Sequence, residues 1–233
     1  MSKPLSQEEL KKLAAEKAVE SIKSGMLVGL GTGSTVKYAL LKIGQLVKEG
    51  LSIQCIATSQ ATEKIALEQG ITLTDFSKIT SLDLTIDGAD EINHDFHLIK
   101  GGGGALFREK IVAQASKKMI VITDEKKLVR RLGVFPLPIE IVAFGWETTV
   151  KRLESLCSKV VVRKKEDTTV VTDNGNFIAD CHFSIINDPV TLHQQLKMLT
   201  GVVETGLFTT EATSAVIGKA DGTVEVLKRA KRQ

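Results

Sequence analysis

Aromatic residues are scarce in this chain. Phe, Trp and Tyr together make 4% of its 233 residues, with one Trp and one Tyr. A protein that grips single-stranded nucleic acid by stacking bases needs more aromatic faces than that, so no nucleic-acid partner is expected. Cysteine is scarce as well: Cys55, Cys157 and Cys181 are odd in number and far apart. They fit neither a disulfide framework nor a metal-ligand spacing. Each lies in an apolar or strand-like setting where a buried free thiol is the default, which suits a reducing compartment. His94, His97, His182 and His193 form no HExxH-type motif, and no metal is expected. No apolar run approaches the ~20 residues of a membrane span, and the charged start of the chain does not read as a signal peptide. The expectation is a cytoplasmic protein without a membrane partner. The net charge is only +3. Much of it comes from Lys228 to Arg232, which reads as a solvated terminus. A hydrophobic content of 42% with 25% charged residues is that of a globular protein.

One stretch is dense in chemistry. Asp87 to Lys110 (DGADEINHDFHLIKGGGGALFREK) follows an apolar run and carries Asp87, Asp90, Glu91, Lys100, the glycines Gly101 to Gly104, and Glu109. Glycine lets a ligand come close to the backbone and tolerates φ > 0. A run of N–H groups ahead of a helix start makes an anion site. Ala105 to Ala113 is predicted to be that helix, with Leu106, Ile111 and Val112 on or near its apolar side. Glu109 then lies about one turn in, placed to face a pocket mouth. On their own the glycines read equally well as a flexible loop and Glu109 as a solvated helix residue. The acids and the lysine just before them favour a site.

From the N-terminus, Ser6-Gln7-Glu8-Glu9 is a capping-box signature. Leu10, Leu13, Ala14, Ala18 and Ile22 mark one face of the helix it starts, with Gly25 as its stop. Lys11 and Lys12 read as solvated. Met26 to Leu30 is a short buried strand, Gly31-Thr32-Gly33-Ser34-Thr35 follows, and a helix runs from about Val36 to Glu49. Strand, Gly-rich turn and helix make a phosphate-binding layout, with N–H groups and the hydroxyls of Thr32, Ser34 and Thr35 converging at a helix N-terminus. A tight turn with a Ser/Thr cap is the alternative, but it needs fewer hydroxyls. NAD is disfavoured. Gly29-x-Gly31-x-x-Ser34 lacks the third glycine, and strand Ser52–Ala57 ends in Thr58-Ser59-Gln60 instead of a ribose-binding acid. A Walker A ending is also missing.

A third helix is predicted over 60–69, a short strand over 71–73, and buried strands over 82–86 and 119–123. The last two end in Asp87-Gly88-Ala89-Asp90 and Asp124-Glu125-Lys126-Lys127. Strands alternating with helices imply a doubly wound, mostly parallel sheet, which binds ligands outside the carboxyl ends of its strands. Thr32–Thr35, Thr58–Ser59, Asp87–Asp90 and Asp124–Lys127 all fall at such ends. The pattern changes after Gly133. Strand 139–143, helix 146–157, strand 159–163, a hairpin through Asp173-Asn174-Gly175 into strand 177–183, helix 189–199 and strand 202–207 make a ferredoxin-like β-α-β-β-α-β unit. Arg163–Asp167 reads as a solvated charged segment. Ser214 to Val226 reads as two strands returning to the first sheet. The expected domains are 1–133 with 208–233, Rossmann-like α/β, and 134–207, a smaller ferredoxin-like α+β domain.

Several of these segments together resemble the type A ribose-5-phosphate isomerase family. They are Gly29-Leu-Gly-Thr-Gly-Ser-Thr35, Asp87-Gly-Ala-Asp-Glu91, Lys100-Gly-Gly-Gly, Arg108-Glu-Lys110, Phe135-Pro-Leu-Pro138, Val171-Thr-Asp-Asn-Gly-Asn176 and Gly201-Val-Val through Gly206-Leu-Phe208. They occur in family order over nearly the whole chain. The resemblance implies interconversion of D-ribose 5-phosphate and D-ribulose 5-phosphate in the non-oxidative pentose phosphate pathway. It also implies a Rossmann-like domain with a ferredoxin-like one, no metal or other cofactor, and a homodimer or homotetramer. Carried over by position, Glu109 matches the catalytic base. Thr32, Gly33, Ser34, Thr35, Asp87, Gly88, Ala89, Asp90, Lys100, Gly101, Gly102, Gly103 and Lys127 match substrate-binding segments. For the chemistry, Asp87 is the candidate for opening the sugar ring. Asp90 would bind hydroxyls or orient Lys100, and Lys100 with the N–H groups of Gly101–Gly103 would stabilise a cis-enediolate. Lys11 and Lys127 both stand as phosphate ligands.

Two other classes use comparable residues. A sugar-phosphate sensor would need an output module such as a helix-turn-helix. A CoA-transferase-like enzyme would form a thioester at a glutamate, which hydroxylamine would trap.

Overall fold

The structure, a computed structural model, describes residues 5–230, so Lys231 and Arg232 of the basic tail lie outside the described residues. In chain order the elements are α1 (Gln7–Val19), β1 (Leu27–Leu30), α2 (Ser34–Lys48), β2 (Gln54–Ala57), α3 (Gln60–Glu68), β3 (Leu84–Gly88), β4 (Glu91–Ile92), β5 (Leu98–Ile99), α4 (Leu106–Gln114), β6 (Met119–Asp124), β7 (Leu137–Ile141), α5 (Trp146–Glu154), β8 (Lys159–Val162), β9 (Lys164–Lys165), β10 (Thr168–Thr169), β11 (Phe177–His182), α6 (Pro189–Lys197), β12 (Val202–Thr205), β13 (Leu207–Phe208), β14 (Ser214–Gly218) and β15 (Val224–Lys228). They form two units. One takes the residues up to Ala89, Arg108–Leu128 and those from Glu211 onward; the other takes Asp90–Phe107 and Val129–Thr210.

The first unit holds a six-stranded sheet of order β15-β14-β6-β3-β1-β2. Its pairs are parallel except β14 with β15. From β1 the chain first winds to β2 on one side and then to β3 on the other, so the winding reverses between β1 and β3. That reversal is the topological switch point where open α/β sheets bind ligands. Alternation along the strands sends Val28, Leu30, Leu84 and Ile86 into one buried cluster with Ala14, Ala18, Val36, Leu40 and Ile43 of α1 and α2. The capping box at Ser6 forms: Glu9 N–H donates to the Ser6 hydroxyl and Ser6 N–H donates to the Glu9 carboxylate at 2.7 Å. The strand predicted at 71–73 reduces to an isolated bridge between Cys55 and Leu73.

The second unit holds a four-stranded antiparallel sheet of order β12-β7-β11-β8. Counted along that unit, the order is fourth, first, third, second, which is the ferredoxin-like arrangement predicted for its β-α-β-β-α-β sequence. Leu137, Ile139, Ile141, Ala179 and Cys181 face Leu153 of α5 and Leu196 of α6 in its core. A small sheet of order β13-β5-β4 completes the unit. Residues 90–107, which the sequence reading kept with the first domain, group here because β5 pairs with β13.

Two local readings change. The turn at Asp173-Asn174-Gly175 forms, with Gly175 N–H donating to the Thr172 carbonyl at 2.9 Å. Residues 170–172 ahead of it form no strand, however, so it joins no hairpin; the short hairpin is β9–β10 instead. The reason lies in Glu140 of β7, which is fully buried. Its Oε1 accepts from Thr172 Oγ1 at 3.0 Å, Asn174 Nδ2 at 3.1 Å and Asn176 Nδ2 at 2.9 Å. The turn is thus spent on pairing one oxygen of a buried carboxylate, which would otherwise carry a larger desolvation penalty. Cys55 and Cys181 are buried thiols, as expected, and burial pushes the Cys55 pKa up to about 12. Cys157 is only half-buried, and its hydrogen bond with Cys181 holds it down to about 7.

Candidate functional site

In the first unit the residues gather around the switch point. Gly31 N–H donates to the Ile86 carbonyl at 3.0 Å, extending the β1–β3 pairing by one step. The next N–H, of Thr32, donates to Asp87 Oδ1 at 3.1 Å, and Gly88 N–H donates to the same oxygen at 2.7 Å. Asp87 is fully buried, so these charge-assisted bonds matter more than they would in water. Gly31 is there because Asp87 is there: a Cβ on Gly31 would lie 2.0 Å from Asp87 Oδ1 and 2.6 Å from its Cβ. Gly31→Ala is therefore expected to displace the carboxylate and destabilise the protein by the ~1–3 kcal/mol typical of overpacking. Thermal melting by circular dichroism checks this.

Gly33 has φ 125 and caps α2 without a side-chain hydrogen bond. The start of α2 is thus lined by backbone, as an anion site requires. The helix begins at Ser34, two residues before its predicted start. Ser34 is exposed and Thr35 buried. The Thr32 hydroxyl turns elsewhere. It lies 2.7 Å from Thr58 Oγ1, 2.8 Å from Ser59 Oγ and 3.1 Å from Thr62 Oγ1. This hydroxyl cluster closes on Thr62 Oγ1 donating to the Gly31 carbonyl at 2.8 Å, and it ties the end of β1 to the start of α3. Thr58 and Ser59 were legible as strand-end polar residues, whereas Thr62 carried no signal beyond its place in a helix.

Glu109 sits on α4, which leads into β6, parallel to β3, so the helix runs back against the strand direction. Val112 lies over Gly29, whose Cβ would be 2.5 Å from Val112 Cγ1. Glu109 is one turn earlier on the same stripe, toward the carboxyl ends of β1 and β3. It is buried, at 3% exposure; the solvated-helix reading fails. Gly29 is therefore a close-approach glycine that lets α4 down onto the sheet. Lys127 Nζ donates to the Ala89 carbonyl at 2.9 Å, just beyond β3. Lys11, read as solvated, is 8% exposed, with Nζ 2.6 Å from Glu8 Oε1. The Lys11 ammonium, with Tyr38 donating to the same carboxylate, holds the Glu8 pKa below its usual range.

In the second unit, Lys100 follows β5 and is 2% exposed. Its N–H donates to the Gly206 carbonyl at 2.9 Å, and its Nζ stands 5.4 Å from the centroid of the Phe208 ring, a cation–π distance. Asp90 is engaged with the glycine loop. Its Oδ2 accepts from Gly102 N–H at 2.7 Å, so it orients the glycine loop. Gly101 has φ 103 and its carbonyl accepts from Gly104 N–H at 3.0 Å, which folds the loop into a turn. Glu91 turns away from this loop: it is buried and accepts from Gly133 N–H at 2.7 Å and Phe135 N–H at 2.6 Å. Arg163, expected to be solvated, is 17% exposed and paired with Asp180. Sequence reasoning missed its role.

Fold and strand-end loops define a class: a doubly wound α/β protein with a ferredoxin-like unit, bearing an uncapped helix start beside a buried carboxylate at its switch point. The comparisons place it further. Residues 54–222 match the family model described as ribose 5-phosphate isomerase A (phosphoriboisomerase A). The chain is 54% identical over 217 residues to ribose-5-phosphate isomerase A of Bacillus mycoides (strain KBAB4), covering 93% of this chain and 98% of the relative. Among solved structures, ribose 5-phosphate isomerase from Plasmodium falciparum superposes with a TM-score of 0.92 at 43% identity, over 96% of this chain and 100% of that one. A D-ribose-5-phosphate isomerase in complex with phospho-erythronic acid gives a TM-score of 0.92 at 36% identity, over 97% and 100%. The chain belongs to the ribose 5-phosphate isomerase A family and is an aldose–ketose isomerase acting on ribose 5-phosphate.

Among the described residues no group of His, Cys, Asp and Glu is arranged to hold a metal ion. Among them, too, no helix is long and apolar enough to cross a membrane.

Proposed function

We propose that the isomerisation runs through a cis-enediolate with Glu109 as the base. The reaction moves a proton between C2 and C1 of the open-chain sugar. A carboxylate serves both carbons by a small movement, the glutamate-base pattern that triosephosphate isomerase also uses. The observation that carries this reading is the switch point itself. Asp87 and the Gly31–Thr35 turn are bonded together there, and Glu109 is buried on α4, whose Val112 packs over Gly29 of β1. Asp87 exchanges the proton that opens the ring. Lys100 and the loop N–H groups of Gly101 and Gly103 stabilise the negative oxygens of the enediolate, the Gly102 N–H being engaged by Asp90. Asp90 holds that loop.

The substrate phosphate sits at the start of α2, on the N–H groups after Gly33 and the hydroxyls of Ser34 and Thr35. Thr32 serves through its backbone, its hydroxyl being engaged with Thr58, Ser59 and Thr62. Lys127 is the better lysine for the phosphate. An ammonium has three donors; one is used on Ala89, and Lys127 stands beside the strand end. Lys11 is already paired with Glu8. The phospho-erythronic acid held by a relative fits this chemistry, since its carboxylate resembles the paired oxygens of an enediolate. We further assign the enzyme to the non-oxidative pentose phosphate pathway in the cytoplasm, working as a homodimer or homotetramer without a cofactor.

The test is formation of ribulose 5-phosphate from ribose 5-phosphate in the presence of EDTA. Full activity is expected, and activity that returns only with added metal would overturn the metal-free mechanism. In the same assay Thr35→Ala is expected to raise KM about tenfold with kcat little changed, because it weakens binding remote from the reacting carbons. A pure kcat effect would move the phosphate elsewhere.

A further inference from the structure

The glycine loop after Lys100 poses a physical problem. Glycine loses more conformational freedom on ordering than any other residue, so four in a row need external restraint before their N–H groups can act as a fixed donor array. One restraint is Asp90 on the Gly102 N–H. A second holds the carbonyls. Arg163 Nη1 donates to the Gly101 carbonyl at 2.8 Å and to the Gly102 carbonyl at 3.0 Å. The rest of the guanidinium is locked. Nε donates to Asp180 Oδ2 at 2.9 Å and Nη2 to Asp180 Oδ1 at 2.5 Å, the bidentate fork of an Arg–carboxylate pair. Arg163 and Asp180 are only 17% and 19% exposed, and Asp180 is fixed in β11, where it pairs with Val161 of β8.

Across a trans peptide the C=O and the following N–H point in opposite directions. By gripping the carbonyls of Gly101 and Gly102, Arg163 turns the N–H groups of Gly102 and Gly103 to the opposite side. The arginine is neutralised by Asp180 and its donors point at carbonyls, so it is not an anion ligand. We propose that Arg163, held by Asp180, is a positioning residue for the isomerisation: while Asp90 holds the Gly102 N–H, Arg163 on the Gly102 carbonyl sets the direction of the Gly103 N–H offered to the reacting oxygens. The proposal rests on the reading of Lys100–Gly103 as the oxyanion-stabilising segment. Lysine cannot replace arginine here, because its ammonium cannot keep the fork on Asp180 and reach both carbonyls in one plane.

The experiment compares wild type, Arg163→Lys and Lys100→Ala in three readouts. These are kcat and KM for ribose 5-phosphate, inhibition by phospho-erythronic acid, and amide hydrogen exchange over residues 101–104. Arg163→Lys is expected to lower kcat by about 10²-fold, the scale of a misplacement of order 1 Å, while KM stays within about threefold. Inhibitor affinity should fall with kcat, and exchange in the loop should speed up without a change elsewhere in the chain. Wild-type kcat in Arg163→Lys, with Lys100→Ala impaired, would overturn the role of Arg163 and leave the loop assignment standing. Wild-type kcat in Lys100→Ala would overturn both. A loss of activity matched by faster exchange everywhere would show a merely structural arginine. If Arg163→Lys does not fold, Asp180→Asn, which keeps one acceptor oxygen but not the charge, must show the same kcat loss at near-constant KM, and its absence would overturn the proposal.

Discussion

Glu109→Gln is expected to lower kcat by ~10²–10⁴-fold, the share of the rate that general-base catalysis supplies, with KM for ribose 5-phosphate nearly unchanged. Glutamine keeps the shape and one acceptor oxygen of the side chain, so the buried position on α4 stays filled. What it loses is the ability to take a proton. The helix is held by Val112 against Gly29, one turn from the substitution, so the fold should tolerate it and the melting temperature should barely move. Stopped-assay ribulose 5-phosphate formation, with melting as the control for folding, measures it. Near wild-type kcat would remove Glu109 as the base and point to Asp87. A fall in kcat that tracks loss of folded protein would show only that the position is structural.

Gly206→Ala should have the largest effect on stability of any single methyl added in the second unit. Gly206 is bonded on both sides. Its N–H donates to the Pro138 carbonyl at 2.7 Å, and its own carbonyl accepts from Lys100 N–H at 2.9 Å. A Cβ there would lie 2.2 Å from the Lys100 carbonyl oxygen and 3.0 Å from both the carbonyl oxygen and Cδ of Pro138. These obstacles are backbone and a proline ring, so no side chain can swing aside. The cost should reach the top of the ~1–3 kcal/mol range for overpacking. For a protein of this size that is a fall of roughly 6–12 °C in melting temperature. Because the residue pushed is Lys100, kcat should fall beyond what the loss of folded protein explains. Calorimetry and single-temperature kinetics on the same preparation separate the two. A variant that melts with wild type and turns over normally would show that the β5–β13 contact is looser than described.

Much of this molecule was legible before its structure. The Ser6–Glu9 capping box is a local device, complete within four residues, and it forms as read. The apolar runs at 26–30 and 119–123 read as buried strands, and both form; their polar ends mark the ligand side of a parallel sheet wherever the strands pair. The Asn174-Gly175 signal was half right. It specified a turn, but whether a hairpin surrounds it depended on Glu140, more than thirty residues earlier. Lys11 and Arg163 were misread for one reason. A charged residue on a polar-looking segment is solvated by default, and a partner makes burial tolerable: for Lys11 it is Glu8, one turn away on the same helix, itself held by the distant Tyr38, and for Arg163 it is Asp180 and the glycine carbonyls.

The amino-acid order by itself determined the alternation of strands and helices in both units, the capping-box start of α1, the loops that carry the candidate site and, through co-ordered motifs, the family; α1, however, ends at Val19, short of the stop read at Gly25. Periodicity, capping and turn chemistry act between residues a few positions apart, and a reader of the chain sees both partners. The tertiary structure decided what each glycine is for. Gly33 and Gly101 are needed for their backbone angle. Gly29, Gly31 and Gly206 are needed because another part of the chain occupies the space of a Cβ. It also decided which carboxylates serve the fold, Glu91 and Glu140, that Asp87 is bonded at the switch point, and that Glu109 is buried on α4. Those distinctions depend on steric exclusion and on the burial of charge, which exist only once segments far apart in the chain are brought into contact.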